Sequence, residues 1–455
     1  MILKKVKSEG LAHLSYLVGS DGKAAVIDPR RDCQIYLDIA DEEGLRITDI
    51  LETHRNEDYV TGSRELASIT GATVHHGELG IQYGQQIREG DEIDMGQAVL
   101  RAIRTPGHTP ESMSYALLDR SAGPEVIGVF TGDALFVGEV GRVDLFGPEP
   151  IEELAVQLFD SLHTKLIPLG PEVMIYPAHG AGSPCGGSIS NREESTIGLE
   201  LVQNHALKLA DRESFVAMKL DERMEKPYYF TKMEEVNLQG QPILGRLPQP
   251  PSLSPKEFRD LAGDGRIVLD VRIPTAFATA HVQGAISIPT EVLPNYAGWM
   301  LGYDRPILLV LDENRDIQKL TAELIRIGYD RIDGYLRDGM EGWTKAGQPI
   351  ASFPAITGLE LHGRLEAGED IFILDVRTNK EWVSGRIEGA VHIFAGYLAK
   401  RMGEVPRDRP VAVMCSSGLR GSLGASLLQN EGYDMMFNVL GGTSGWRKAG
   451  LLIVN

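Results

Sequence analysis

The sequence predicts a multidomain chain of mixed α+β and α/β class. An N-terminal sandwich carries its functional groups on loops that follow strands, and two small α/β domains follow it. Three observations predict this. The chain has 455 residues, enough for roughly two to four domains. Strand-like and helix-like patterns alternate along it, as layered sheets and helices require. The last two fifths contain an internal repeat.

The first domain is expected over residues 1–235. It opens with strand-like runs at 12–18 and 24–28. Residues 49–53 read as a strand that delivers His54 to its C-terminal end. Residues 126–131 read as a strand that delivers Asp133, and 173–176 as one that delivers His179. Residues 236–252 read as a linker, because the proline density around Pro248, Pro250 and Pro251 favours an extended, semi-rigid spacer. The repeat occupies 253–352 and 353–455. The run 267–272, ending Leu269-Asp270-Val271-Arg272, recurs at 371–377 as Leu374-Asp375-Val376-Arg377. His281-Val282-Gln283-Gly284-Ala285 recurs as Arg386-Ile387-Glu388-Gly389-Ala390, and the stretch ending Gly342-Trp343 recurs ending Gly445-Trp446. A period of about 104 residues is too long for a solenoid unit and right for one small domain.

Composition excludes some partners. The net charge is −19 with no basic block, which argues against nucleic acid and anionic membrane surfaces. No apolar run of about 18 residues is present. Residues 1–7 lack the apolar region of a signal peptide, so the cytoplasm is expected. The three cysteines, Cys33, Cys185 and Cys415, form neither a zinc ribbon nor a disulfide framework.

In the second repeat, a strand at 410–414 ends at Cys415 and is followed by Ser416-Ser417-Gly418-Leu419-Arg420 and a helical pattern. Backbone N–H groups of such a loop, with the helix N-terminus, stabilise a thiolate. Arg420 adds a positive charge able to pair with an oxyanion. With the Leu-Asp-Val-Arg motif and the closing Gly441-Gly442-x-x-Gly445-Trp446, this segment resembles the rhodanese (sulfurtransferase) family. The resemblance implies that Cys415 carries sulfur as a persulfide in a cradle of Ser416, Ser417, Gly418 and Leu419. A cysteine phosphatase has a similar loop, usually with one more residue before the arginine. In the first repeat Leu311 falls where Cys415 does, and Asp312 and Glu313 would repel an anion. That copy is expected to be silent, a spacer or an interface, and a homo-oligomer is expected.

Thr53-His54-Arg55-Asn56-Glu57-Asp58-Tyr59 resembles the motif T-H-x-H-x-D-H of the metallo-β-lactamase superfamily, with Asn56 and Tyr59 in place of two histidines. The superfamily's other ligand positions are filled by His108, Asp133 and His179, each in its local motif. Two histidines and one carboxylate with open positions are the signature of a non-haem Fe(II) site. The chain most closely resembles persulfide dioxygenases of this αββα fold, in particular their fusions with rhodanese domains. The resemblance implies one Fe(II) held by His54, His108 and Asp133, and a low-molecular-weight thiol persulfide converted with O2 to sulfite and thiol. The same triad suits zinc, as in a glyoxalase II-like thioester hydrolase, and a degenerate metal domain acting as a scaffold is a third reading. Asp58, His179, Asn56 and Tyr59 are expected to orient ligands or substrate, and Arg142 to receive an anionic part of it. Cys185 reads equally as a thiol near the metal or as a buried loop cysteine. Cys33 reads as structural, and His75 and His76 as surface or turn residues.

Overall fold

The computed structural model describes residues 1–77, 80–147, 149–222, 224–312 and 316–454. It divides into two compact units, Met1–Leu247 with Ile325–Gly328, and Pro248–Leu324 with Tyr329–Asn455.

The first unit contains two six-stranded sheets. One runs, in spatial order, through Ile2–Ser8, His13–Ser20, Lys23–Ile27, Arg46–Leu51, Thr73–His76 and Gln85–Gln86. The other runs through Ser195–Thr196, Met174–Pro177, Val126–Gly132, Met113–Asp119, Ala98–Arg104 and Glu92–Met95. Strand alternation sorts the side chains between layers. Leu14, Tyr16, Val18, Ala25 and Ile27 face Leu100, Leu117 and Phe130 of the second sheet. Leu17, Ala24 and Val26 face the other way, onto Tyr36 and Leu66 of the helices Gln34–Glu42 and Ser63–Thr70. The second sheet is covered outside by Leu154, Ala155 and Leu158 of the helix Ile151–Ser161. The layers are therefore αββα, as expected. Each fully buried Leu, Val or Phe here contributes about 1.5–3 kcal/mol.

The functional loops all leave the strands at one edge of this sandwich. The strand Arg46–Leu51 ends before Thr53 and His54, and Val126–Gly132 ends before Asp133. The register between Val126–Gly132 and Met174–Pro177 shifts after Phe130. Gly132 takes a φ of +53° there, and a Cβ would lie 2.7 Å from Cβ of Thr53. Only glycine lets the two loops approach this closely.

The second unit holds two five-stranded parallel sheets of the same strand order. The first runs Ser252–Leu253, Ile332–Leu336, Ile307–Val310, Ile267–Asp270, Ile286–Ser287. The second runs Ala355–Thr357, Met436–Leu440, Val411–Met414, Phe372–Asp375, Val391–His392. Their central strands are buried at every position, as parallel strands covered on both faces must be. The repeated Asp-Val-Arg is a clamp. In the second copy Arg377 donates to Asp375 from Nε (2.9 Å) and Nη2 (2.6 Å), and to the carbonyl of Gly385 (2.9 Å). Asp270 and Arg272 repeat the pair in the first copy.

Two expectations change. The stretch 236–252 is not free spacer along its length. Residues up to Gln239 are helical, and the amides of Leu244 and Gly245 donate to the Glu65 carboxylate at 2.7 Å each. Gln241 is buried and Arg64 donates to its carbonyl at 2.8 Å. Backbone groups that find partners on a folded surface dock there in spite of the prolines. His76 is buried on the strand Thr73–His76, with ring nitrogens against the carbonyls of Gly77 and Tyr83. His75 is half-buried against Asp49. No helix among the described residues is long and apolar enough to cross a membrane.

Candidate active sites

The first site collects His54, Glu57, Asp58, His108, Asp133, His179 and Cys185, all buried. Asp133 Oδ2 lies 3.7 Å from His54 Nε2 and 3.4 Å from His108 Nε2. The outward ring nitrogens of both histidines are anchored. Nδ1 of His108 donates to the carbonyl of Arg142 at 2.8 Å. The Thr53 hydroxyl donates to Asp28 at 2.7 Å and so accepts from Nδ1 of His54 at 2.8 Å. A carbonyl and an already donating hydroxyl can only accept, which fixes the proton on Nδ1 and turns each Nε2 lone pair inward. Neither Nε2 has a hydrogen-bond partner. Buried, unpartnered nitrogens aimed at a shared carboxylate fit a metal ion.

His179 is placed differently. Its Nδ1 lies 2.8 Å from Asp133 Oδ1, and its Nε2 lies 3.0 Å from Asp58 Oδ2. Burial lowers its basicity, but the two carboxylates outweigh this and push its pKa well up. Burial likewise lowers His54, to about 4, with Asp133 opposing. His108 is also penalised by burial, but Glu57 and Asp133 raise it to about 9. Three carboxylates in one dry pocket attract positive charge, whether protons or a cation.

Most of the expected site residues come together here. Arg142 is buried, and its guanidinium is paired with Asp144 at 2.6 and 2.8 Å and with the carbonyls of Pro184 and Glu225. Four of its five N–H donors are thus engaged within the protein, which ties the guanidinium to Asp144 and the two carbonyls, and its own carbonyl orients His108. Asn56 donates to the carbonyl of His54 at 3.2 Å. Tyr59 is buried with its ring 4.2 Å from that of His13 and its hydroxyl unpartnered. Cys185 lies in the site, its thiol 3.1 Å from Glu57 Oε1, and burial pushes that thiol's pKa well up. Cys33 is buried, as expected, with its thiol donating to backbone carbonyls.

Sequence reasoning missed Glu57. It sits between Asn56 and Asp58 at a position where the motif specifies no residue type. The available signal was an acidic residue appearing where the neighbouring ligands had been lost.

The second site is the loop after Val411–Met414. Cys415 is buried and its Sγ accepts from the Gly418 amide at 3.0 Å. The carbonyls of Cys415, Ser416 and Ser417 accept from the amides of Thr443, Ser444 and Gly441 at 2.8–3.0 Å. The loop's acceptors are thus drawn toward the helix Gly442–Lys448, away from the sulfur. Leu419 begins the helix Leu419–Asn430, with Gly418 at its N-cap. Arg420 was expected as a positive charge able to pair with an oxyanion. Its guanidinium is held by Glu381 at 2.6 and 2.7 Å and reaches the Ser416 hydroxyl at 2.9 Å. Burial raises the Glu381 carboxyl, but Arg420 outweighs it and holds the group at about 2. Tyr296 of the first repeat lies 3.5 Å from Arg420, and Ser287 meets Ser422 at 2.9 Å. The first copy is therefore a wall of the second copy's site. In it Leu311 stands at the strand end, while Glu313 lies outside the described residues. Glu381 and Tyr296 were not legible beforehand, because each reaches the loop from a distant part of the sequence.

Fold and sites together define an αββα domain with a buried metal-type cluster, joined to a duplicated α/β domain with one loop thiol. Residues 9–179 match the metallo-beta-lactamase superfamily, and residues 254–346 and 357–449 each match the rhodanese-like domain. The chain belongs to the metallo-β-lactamase superfamily through its N-terminal unit and carries two rhodanese-like domains behind it. It is 33% identical over 174 residues to the persulfide dioxygenase ETHE1, mitochondrial, of Bos taurus, covering 36% of this chain and 63% of that protein. The chain thus spans less than two thirds of that relative's length. It is 32% identical to a hydroxyacylglutathione hydrolase of Rhodospirillum rubrum, over 46% of this chain and 77% of that one. A sulfurtransferase of Allochromatium vinosum is 36% identical over 21% of this chain and 88% of its own. A crystal structure of a metallo-beta-lactamase from Staphylococcus aureus aligns with TM-score 0.66 and 32% identity, over 74% of this chain and 98% of that one.

Proposed function

We propose that the first unit is a persulfide dioxygenase and that Cys415 is a sulfurtransferase centre acting on its product. The observation that carries this is the His54, His108 and Asp133 cluster, whose two inward nitrogens have no partner. These three residues would hold one Fe(II), which supplies activation of O2 when bound. His179 Nδ1 is engaged by Asp133, while Asp58, His179 and Cys185 form a second group of possible metal donors beside the first. The similarity to a persulfide dioxygenase supports the same reading.

The reaction balances as RSSH + O2 + H2O giving RSH, sulfite and two protons. The chain's own groups orient and shelter it. Arg142 and Thr53 fix the two histidine rings, and the buried walls exclude bulk water. At the second centre the Cys415 thiolate attacks the outer sulfur of a second persulfide, RS⁻ leaves, and sulfite then takes that sulfur as thiosulfate and restores the thiolate. The Gly418 amide donates to Sγ and so stabilises the thiolate that starts and ends the cycle.

Oxygen uptake by Fe(II)-loaded protein given glutathione persulfide tests the first half, with His108→Ala as control. Uptake that is lost in the control is expected. Hydrolysis of S-lactoylglutathione by zinc-loaded protein, with no uptake, would favour the hydrolase reading that the Rhodospirillum relative supports. Cys415→Ser should release sulfite in place of thiosulfate; an unchanged thiosulfate yield refutes the coupling.

A further inference from the structure

We infer that Glu57 is a fourth protein ligand of the metal ion, so that the site is built from two histidines and two carboxylates. This rests on reading the cluster as a metal site, and it goes beyond the three ligands named above. Glu57 occupies a motif position that carries no ligand, between Asn56 and Asp58.

Glu57 borders the group of His54, His108 and Asp133, and forms an adjoining group with Asp133 and Cys185. Glu57 Oε1 lies 3.3 Å from His108 Nε2, and Glu57 Oε2 lies 3.9 Å from His54 Nε2. Asp133 Oδ2 completes the set at 3.4 and 3.7 Å from the same two nitrogens. Donor atoms about 2.0–2.2 Å from one ion lie about 3–4 Å from their neighbours. Glu57 is fully buried, and Oε2, which faces His54 Nε2, has no hydrogen-bond partner, as the Nε2 atoms of His54 and His108 have none. A buried carboxylate whose two oxygens border two bare imidazole nitrogens is costly without a cation between them. The other oxygen accepts the thiol of Cys185 at 3.1 Å, which holds the carboxylate in this orientation.

The assignment has a chemical consequence. Four protein ligands leave about two positions open on a six-coordinate ion instead of three. The acid also compensates locally for the histidine replaced by Asn56, whose amide is turned to the His54 carbonyl.

Co(II) binding tests this without any turnover. Metal-free wild type, His108→Ala, Glu57→Gln and Glu57→Asp are titrated with Co(II), following both affinity and the visible absorption of the bound ion. Wild type should bind one equivalent and His108→Ala should not. Glu57→Gln should lose about 100-fold or more in affinity, at or beyond the range of residues that only support a ligand, and its absorption bands should move. Glu57→Asp keeps the charge but not the reach. It should show the same spectral change, and it serves also if the glutamine variant does not fold. Wild-type affinity and spectrum in either variant would overturn the ligand role while leaving the metal site intact. A moderate loss of affinity with unmoved bands would overturn it as well, by making Glu57 a supporting residue. Failure of wild type to bind Co(II) would overturn the metal site itself.

Discussion

Replacing Gly442 by alanine tests how the Cys415 loop is built. A Cβ at Gly442 would lie 2.0 Å from the carbonyl oxygen of Cys415 and 2.7 Å from two backbone carbons of the loop. Gly442 also sits at a φ of +49°. The left-handed conformation alone costs an alanine about 1–2 kcal/mol. The overlap is with backbone, so the loop must move by more than about 1 Å to reach van der Waals distance. That movement disturbs the three hydrogen bonds from Gly441, Thr443 and Ser444 to the loop carbonyls, each worth about 0.5–1.5 kcal/mol. The sum is about 2.5–6.5 kcal/mol if all three bonds are lost. Gly441→Ala is the control. Its φ is +74°, but its nearest neighbour would be 3.4 Å away, so it should cost only about 1–2 kcal/mol.

The assay is selective, because all four tryptophans, Trp299, Trp343, Trp382 and Trp446, lie in the second unit. Tryptophan fluorescence during urea unfolding therefore follows that unit by itself. Gly442→Ala should lower the midpoint well beyond Gly441→Ala. It should also slow sulfur transfer from persulfide to sulfite about 100-fold, the cost of misplacing a reacting group by about 1 Å. Equal midpoints and transfer rates for the two variants would refute the steric account.

Two further outcomes follow from named pairs. Asp375→Ala leaves Arg377 buried without its carboxylate and should destabilise the second unit by about 3–5 kcal/mol by the same fluorescence assay. The Glu381 carboxyl, normally at 4.5, is held at about 2 by Arg420. Its contribution is present above about pH 4.5 and lost as pH falls toward 2. Discounted for the third of the side chain that is exposed, wild type should lose about 1 kcal/mol more than Glu381→Gln between about pH 6.5 and 3.5. Parallel pH curves for the two proteins would show that the pair contributes nothing.

The sequence by itself determined the layer order, the repeat and the residues His54, His108, Asp133 and Cys415. Period-two strands, an exact-order series of motifs and a strand-loop-helix thiol are local patterns, and local patterns are readable along a chain. It also marked Asn56 and Tyr59 as departures. Tertiary structure decided what surrounds these groups. Arg142 looked free in sequence and is spent on Asp144 and two carbonyls. Arg420 looked available to an anion and is held by Glu381, thirty-nine residues away. Glu57 looked like a spacer between motif positions and points into the cluster, because a short turn after Leu51 carries Thr53 to Asp58 through the pocket. Tyr296 belongs to the first repeat and reaches the Cys415 loop of the second. Charge pairing and burial depend on distances between groups remote in sequence, and only the folded chain sets those distances.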